Sequence, residues 1–333
     1  MRDFNQNGAV FLEGDVLRIG IKPQLGGTIV SICNHKLDAD ILGSTPWSPI
    51  SLPIASHAAD EMTWLTRYEG GWPLLFPNGG DACEFGGVFH GFHGEASMSP
   101  WEFDVEKESV QLRRKFFTVP VEMHREISLL GDVLRINEKI VVTGEQPIEV
   151  LWAHHPTFGA DLLDGDFVIE TGARTIAVDD SYDSLSNPLK LGATGRWPII
   201  SGKNGQYDVS RPKEPLAALT YLYDFDQPWV SVRRLDDSVA AMLSWDADLF
   251  KCVWLWYELG GTLDAPWFGN ARLLGVEPST SWPATGLADI KRRGGHLLRL
   301  SPGQSVRTTL CLNVFKPDGA IQGVDGNGRA IIK

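Results

Sequence analysis

Groups able to move protons gather in three separated stretches of this 333-residue chain. HGFHGEASMSPW supplies His90, His93 and Glu95, LWAHHPTFG supplies His154 and His155, and LLGVEPSTSWP supplies Glu277 followed at once by Pro278. A carboxylate and an imidazole brought to one place can take a proton from one atom of a substrate and give a proton to another. Glu277 closes the apolar run RLLGV, so it is either the first solvent-facing residue past a strand or a carboxylate partly buried in a cleft. Pro278 biases it toward an extended backbone, which aims the side chain reproducibly. His154 and His155 are adjacent, and on a strand adjacent side chains face opposite ways, so at most one faces a given pocket. Pro156 interrupts the hydrogen-bond ladder and puts His155 at a rim, where nearby carboxylates are expected to raise its pKa and make it a general acid.

Other chemistries find less support. His90 and His93 are three residues apart and His155 is distant, a spacing that matches neither a zinc-binding helix nor an alternating strand pair, so no metal site is expected. There is no Walker loop, no strand–GxGxxG–helix unit and no GxSxG elbow, so no nucleotide cofactor and no serine-hydrolase elbow are expected.

The elements that must position these groups read as strands. The stretch Gly70–Trp101 is too rich in glycine for a helix or long strand and is expected to be a functional loop with aromatic walls and polar tips, Asp81 among them. Residues 9–21 read as two short strands around a Glu-Gly-Asp turn. The runs VQLRRKFFTV, VEMHREISLL and VLRINEKIVVTG alternate apolar and polar positions, with a hairpin at Gly131-Asp132. Strand patterns then recur from LAALTYLY to SVRTTLCLNVF. Residues 43–66 read as irregular, 179–215 as a long excursion, and only ATGLADIKRR (284–293) as a short helix. Many short strands with Gly, Pro and Asp turns predict an all-β chain, a large antiparallel β-sandwich forming one domain over 1–333.

Composition narrows the partners. A net charge of −12 argues against nucleic acid and anionic membranes, which require basic patches. No apolar run is long enough to span a bilayer and the N-terminus carries no leader-like apolar segment, so a cytoplasmic protein is expected. Cys33, Cys83, Cys252 and Cys311 are scattered and read as reduced thiols. The 12 tryptophans are many; Trp72, Trp101, Trp256 and Trp282 lie beside Gly, Pro or charged residues and could offer flat faces to a ring ligand such as a sugar.

Taken together and in this order, the pieces resemble the aldose 1-epimerase (galactose mutarotase-like) superfamily over roughly residues 10–315. GGWPLLFPNGGD resembles its glycine-rich loop, and HGEASMSPWEF its HGFAR…PWE loop with His93 on the motif histidine. HHPTF resembles its H-x-Y-F piece and GVEPSTS its Glu-Pro piece. The resemblance implies a β-supersandwich without cofactor that interconverts the α and β anomers of a free sugar, as a monomer or homodimer. It implies Glu277 as base and His155 as acid, His93 and Asn78 on sugar hydroxyls, and Trp101 or Trp256 against the ring. Ser97 stands where the sugar-phosphate branch has arginine, which points to a non-phosphorylated sugar. Gly79 stands where an arginine would follow Asn78, and Arg67 upstream is a substitute. For a further carboxylate on the sugar hydroxyls, Asp224, Asp226 and Asp246 are all candidates. The alternative is a non-catalytic carbohydrate-binding protein of the same fold.

Overall fold

One 19-residue strand, Leu216–Arg234, organises the molecule. The computed structural model describes residues 8–48 and 58–333; residues 1–7 and 49–57, where the sequence suggested no leader and an irregular chain, lie outside the described residues. The first half of the long strand, Leu216–Leu222, pairs with Cys252–Leu259, and its second half, Trp229–Arg233, pairs with Ala240–Ser244. Its other edge is covered by Phe167–Val178 along both halves. The two halves therefore enter different neighbourhoods of one 16-stranded antiparallel sheet that wraps into an all-β sandwich. One wing continues through Ser305–Phe315, Val133–Val142, Val121–Leu130 and Ser109–Lys115. The other continues through Arg272–Ser279 to the short strands Ala153–His154, Thr157–Phe158 and Leu74–Leu75. A separate four-stranded meander, Val10–Glu13 to Ala39–Asp40, docks on this second wing through bridges such as Ile29–Trp72 and Leu42–Phe158.

The expected Gly131-Asp132 hairpin forms, with Leu130 opposite Val133, and the expected short helix spans Gly286–Arg292. Two short helices were not foreseen, Glu61–Leu65 and Ala160–Leu163. The excursion 179–215 contains three short strands that extend the main sheet at its edge. The cysteines are free. Among the described residues no helix is long and apolar enough to cross a membrane.

Between the layers lies a charged chain. Arg125 Nε donates to Glu138 Oε1 at 2.6 Å, Glu138 Oε2 meets His154 Nε2 at 3.1 Å, and Trp72 Nε1 donates to His154 Nδ1 at 3.1 Å. The Arg125 guanidinium also lies 5.7 Å from the Trp101 ring, whose indole N–H donates to the Ala96 carbonyl. Trp72 and Trp101 are thus core residues; the reading of both as ligand platforms fails because the buried charges claim them. Burial alone would raise the Glu138 pKa, but the His154 and Arg125 groups outweigh it and hold the carboxyl at about 2.

A folded pKa below the unfolded one means that Glu138 stabilises the fold above the ordinary carboxylate range and stops doing so as pH falls through its folded value. Acid unfolding of the wild type should therefore show this contribution fading between about pH 4.5 and about 2. Glu138→Gln should remove that limb and, by leaving Arg125 unpaired, cost about 3–5 kcal/mol in urea unfolding at neutral pH; an unchanged midpoint would contradict the assignment.

Candidate functional site

Antiparallel pairing places alternate residues of neighbouring strands on one face. On the second wing Trp254 stands opposite Glu277, while Trp256 stands opposite Gly275, which in turn stands opposite Thr157. These rows floor a cavity of about 360 Å³, enough for one sugar ring. Loops close over it: Trp64 and Tyr68 follow from the helix Glu61–Leu65, Gly80, Asp81, Phe92 and His93 from the glycine-rich loop, Asp179 and Tyr182 from the end of Phe167–Val178, and Trp267 from the 260–270 segment.

Glu277 lies inside its strand, not past it, and is 2% exposed. Its carboxyl leans back over residue 275, where a Cβ would sit 2.4 Å from Oε1, so glycine there makes room for the side chain. Glu277 Oε1 is 3.5 Å from His155 Nε2, and among the described residues the carboxyl has no hydrogen bond of its own. His155 is anchored from its other nitrogen: Nδ1 meets Thr157 Oγ1 at 3.0 Å, and Thr157 Oγ1 bonds in turn to the Tyr68 hydroxyl. The expected upward shift of His155 does not occur. Burial pushes its pKa down to about 4, and burial pushes Glu277 well up, because the pocket supplies too little compensating polarity to keep either charged.

His93 adopts a left-handed backbone, φ 58°, uncommon outside glycine. Gly80 N–H donates to its Nδ1 at 2.9 Å, so the neutral ring carries its proton on Nε2. Burial first, then the field of His155, holds it well below its ordinary pKa. The loop bearing it is pinned by Glu95, which accepts from Arg114, from the Phe117 and Thr118 amides and from the Thr118 hydroxyl.

Of the residues singled out by sequence, His155, Glu277, His93, Asp81 and Trp256 line one cavity. Asn78 does not: it is fully buried, donating to the Asp81 and Gly91 carbonyls and accepting from Leu287 N–H, so it ties the loop to the helix Gly286–Arg292. Arg67 borders a separate small void with Trp64, Glu69 and Ser97. Ser97 accepts from Trp64 Nε1 at 3.1 Å and so steadies an aromatic wall. Trp282 stacks on Tyr223 outside the cavity. Asp224 kinks the long strand at φ 58° and accepts from Thr175, Asp226 pairs with Arg174, and Asp246 accepts from the Asp248 amide; none lines the cavity. A carboxylate that the sequence did not single out, Asp179, does line it, and it accepts from Ser181, Tyr182 and the Tyr221 hydroxyl. His154 faces the core and His155 the cavity, as strand alternation requires. Among the described residues no group of three or more His, Cys, Asp or Glu side chains is arranged to hold a metal.

No family model matches this sequence, and no curated protein does. Solved structures do. A candidate aldose 1-epimerase from Klebsiella pneumoniae superposes with a TM-score of 0.68 at 15% identity, covering 94% of this chain and 81% of that one. A candidate aldose 1-epimerase from Escherichia coli K12 gives 0.64 at 14%, covering 92% and 99%. A galactose mutarotase-like protein from Clostridium acetobutylicum gives 0.63 at 15%, covering 92% and 95%. At such identities the likeness speaks for architecture, and the architecture of this chain is the galactose mutarotase-like β-sandwich.

Proposed function

We propose that the cavity interconverts the α and β anomers of a free, non-phosphorylated aldose by acid–base ring opening. The observation that carries this reading is the Glu277 carboxyl, buried without a hydrogen bond 3.5 Å from His155 in a chamber walled by indoles. Such a group has given up water and received no protein donor in return, and a sugar hydroxyl supplies that donor.

The pair holds one working proton. In the empty cavity burial favours the neutral forms, with the proton on Glu277. Donation from substrate hydroxyls favours the charged form, giving carboxylate and imidazolium. Glu277 then takes the proton of the anomeric hydroxyl while His155 protonates the ring oxygen. The C1–O5 bond breaks, the aldehyde turns about C1–C2, and closure on its other face runs the two transfers in reverse. No net proton is gained or lost. His93 Nε2–H serves a sugar hydroxyl and Trp256 the ring face. The likeness to proteins described as aldose 1-epimerases supports the reading. A carbohydrate-binding protein that does not turn its sugar over is the second reading, and Glu277 separates them.

Anomer exchange measured by NMR should be accelerated by the wild type, and Glu277→Gln should lose about 10²–10⁴-fold in kcat while still binding sugar. A variant at full rate would remove Glu277 from the mechanism, and binding without exchange in the wild type would favour the binding protein. The pH profile reports the pair. The one-proton state is lost at low pH when His155 takes a second proton and at high pH when Glu277 gives up its own. The acid limb is expected near pH 4 instead of at histidine's ordinary 6.5. Gly275→Ala puts a methyl where Glu277 Oε1 lies and should lower kcat by about 10²-fold with a smaller effect on Tm, since the severe overlap is with the end of the Glu277 side chain and Trp256 Cβ, 3.3 Å away, must give only slightly.

A further inference from the structure

The cavity carries an electrical imbalance that a neutral sugar does not call for. Its lining includes the carboxyl groups of Glu61, Asp81, Asp179 and Glu277, and among the described residues no lysine or arginine. Asp179 is occupied by Tyr221, Ser181 and Tyr182, and Glu277 stands on the floor with His155. Glu61 and Asp81 differ from both. They lie at the exposed rim, and among the described residues neither carboxylate has a hydrogen-bond or ion-pair partner. The arginines of the nearby helix are committed elsewhere, Arg292 to Asp289 and Arg293 to Asp289 and Asp180.

The two carboxylates are held where they are. Glu61 opens the helix that Asp60 caps, through its acceptance of the Thr63 amide at 2.7 Å. Asp81 is fixed through its carbonyl, which receives Asn78 Nδ2 at 2.8 Å and packs so closely on Gly286 that a Cβ there would come within 2.4 Å. Burial and the field of Asp81 push Glu61 up, and burial with the fields of Asp289 and Asp179 pushes Asp81 up, so like charges strain against one another in the empty protein. A cation relieves that strain. A bare metal ion demands several ligands at once, and the described residues gather no such set. An ammonium group needs only a few acceptors, one for each N–H. The unbonded Glu277 carboxyl in the same cavity independently marks it as built for an occupant rich in donors.

We infer, resting on the acid–base reading above, that the sugar turned over here carries a free protonated amine received by Glu61 and Asp81: the substrate class is the amino-deoxy aldoses. The same carboxylates turn away sugar phosphates and uronic acids by like-charge repulsion.

The test is anomer exchange by NMR with glucose, its 2-, 3-, 4- and 6-amino-deoxy analogues and their N-acetyl forms, run below the amine pKa. Each sugar is also titrated for binding, with the wild type and with the Glu61→Gln/Asp81→Asn double variant, whose Tm is checked first. At least one amino sugar should exceed glucose in kcat/KM by about tenfold, the worth of one charged hydrogen bond. The advantage should vanish on N-acetylation, and the amino-to-neutral ratio should approach one in the double variant. Equal handling of glucose and every amino sugar, or an advantage that survives in the double variant, overturns this inference and leaves the acid–base reading in place. Amino-sugar binding that depends on Glu61 and Asp81 without exchange of any sugar does the reverse, sinking the acid–base reading and supporting amine recognition. Neither exchange nor binding overturns both.

Discussion

Two neighbouring histidines face opposite ways, His154 into the core and His155 into the cavity. His154 is clamped between the Trp72 indole and the Glu138 carboxylate, deep in a charged chain that ends at Arg125. That clamp fixes the strand Ala153–His154, and His155, just past its end, points the other way into the cavity, held by its N–H bond to the Pro73 carbonyl and by Thr157. An unpaired buried charge would be costly, so each member of the chain is held by the others. The direction of His155 is thus set by a neighbour that faces away from the cavity.

The cavity is dry enough to decide the protonation states within it. His155 and Glu277 move in opposite directions from their ordinary pKa values, yet both move for the same reason, loss of water around a charge. A carboxylate beside an imidazole does not suffice to make an ion pair when burial strips both of water.

The strand character of the chain was legible because its alternating runs are long, as in Val121–Leu130 and Val133–Val142. Phe167–Val178 escaped notice because Gly172 sits at a bulge in its middle, so close to the Gln227 carbonyl that a Cβ would come within 2.1 Å. Leu216–Arg234 read as two strands because DFDQP looks like a turn; Asp224 bends the strand there without ending it. Glu277, His155 and His93 were singled out by type and spacing, and the structure sets them around one cavity. Asn78 and Trp101 were misplaced because an amide or an indole suits a sugar and a core equally well, and only packing decides. Trp64 was hidden in a five-residue helix too short for periodicity, with Tyr68 three residues past its end, although their rings stack 4.4 Å apart. The Ser181 and Tyr182 bonds of Asp179 are local and could have been guessed from DDSYDS. Its place in the cavity depends on Tyr221, 42 residues away.

The left-handed backbone of His93 has a wider meaning. A residue with a Cβ in that region gives up free energy that glycine would keep, on the order of 1 kcal/mol. Glycine at position 93 would relieve that strain, but it would leave the Gly80 N–H without its acceptor and remove the ring packed against Trp64 and Phe92. Position 93 is therefore a place where backbone ease and side-chain bonding pull in opposite directions.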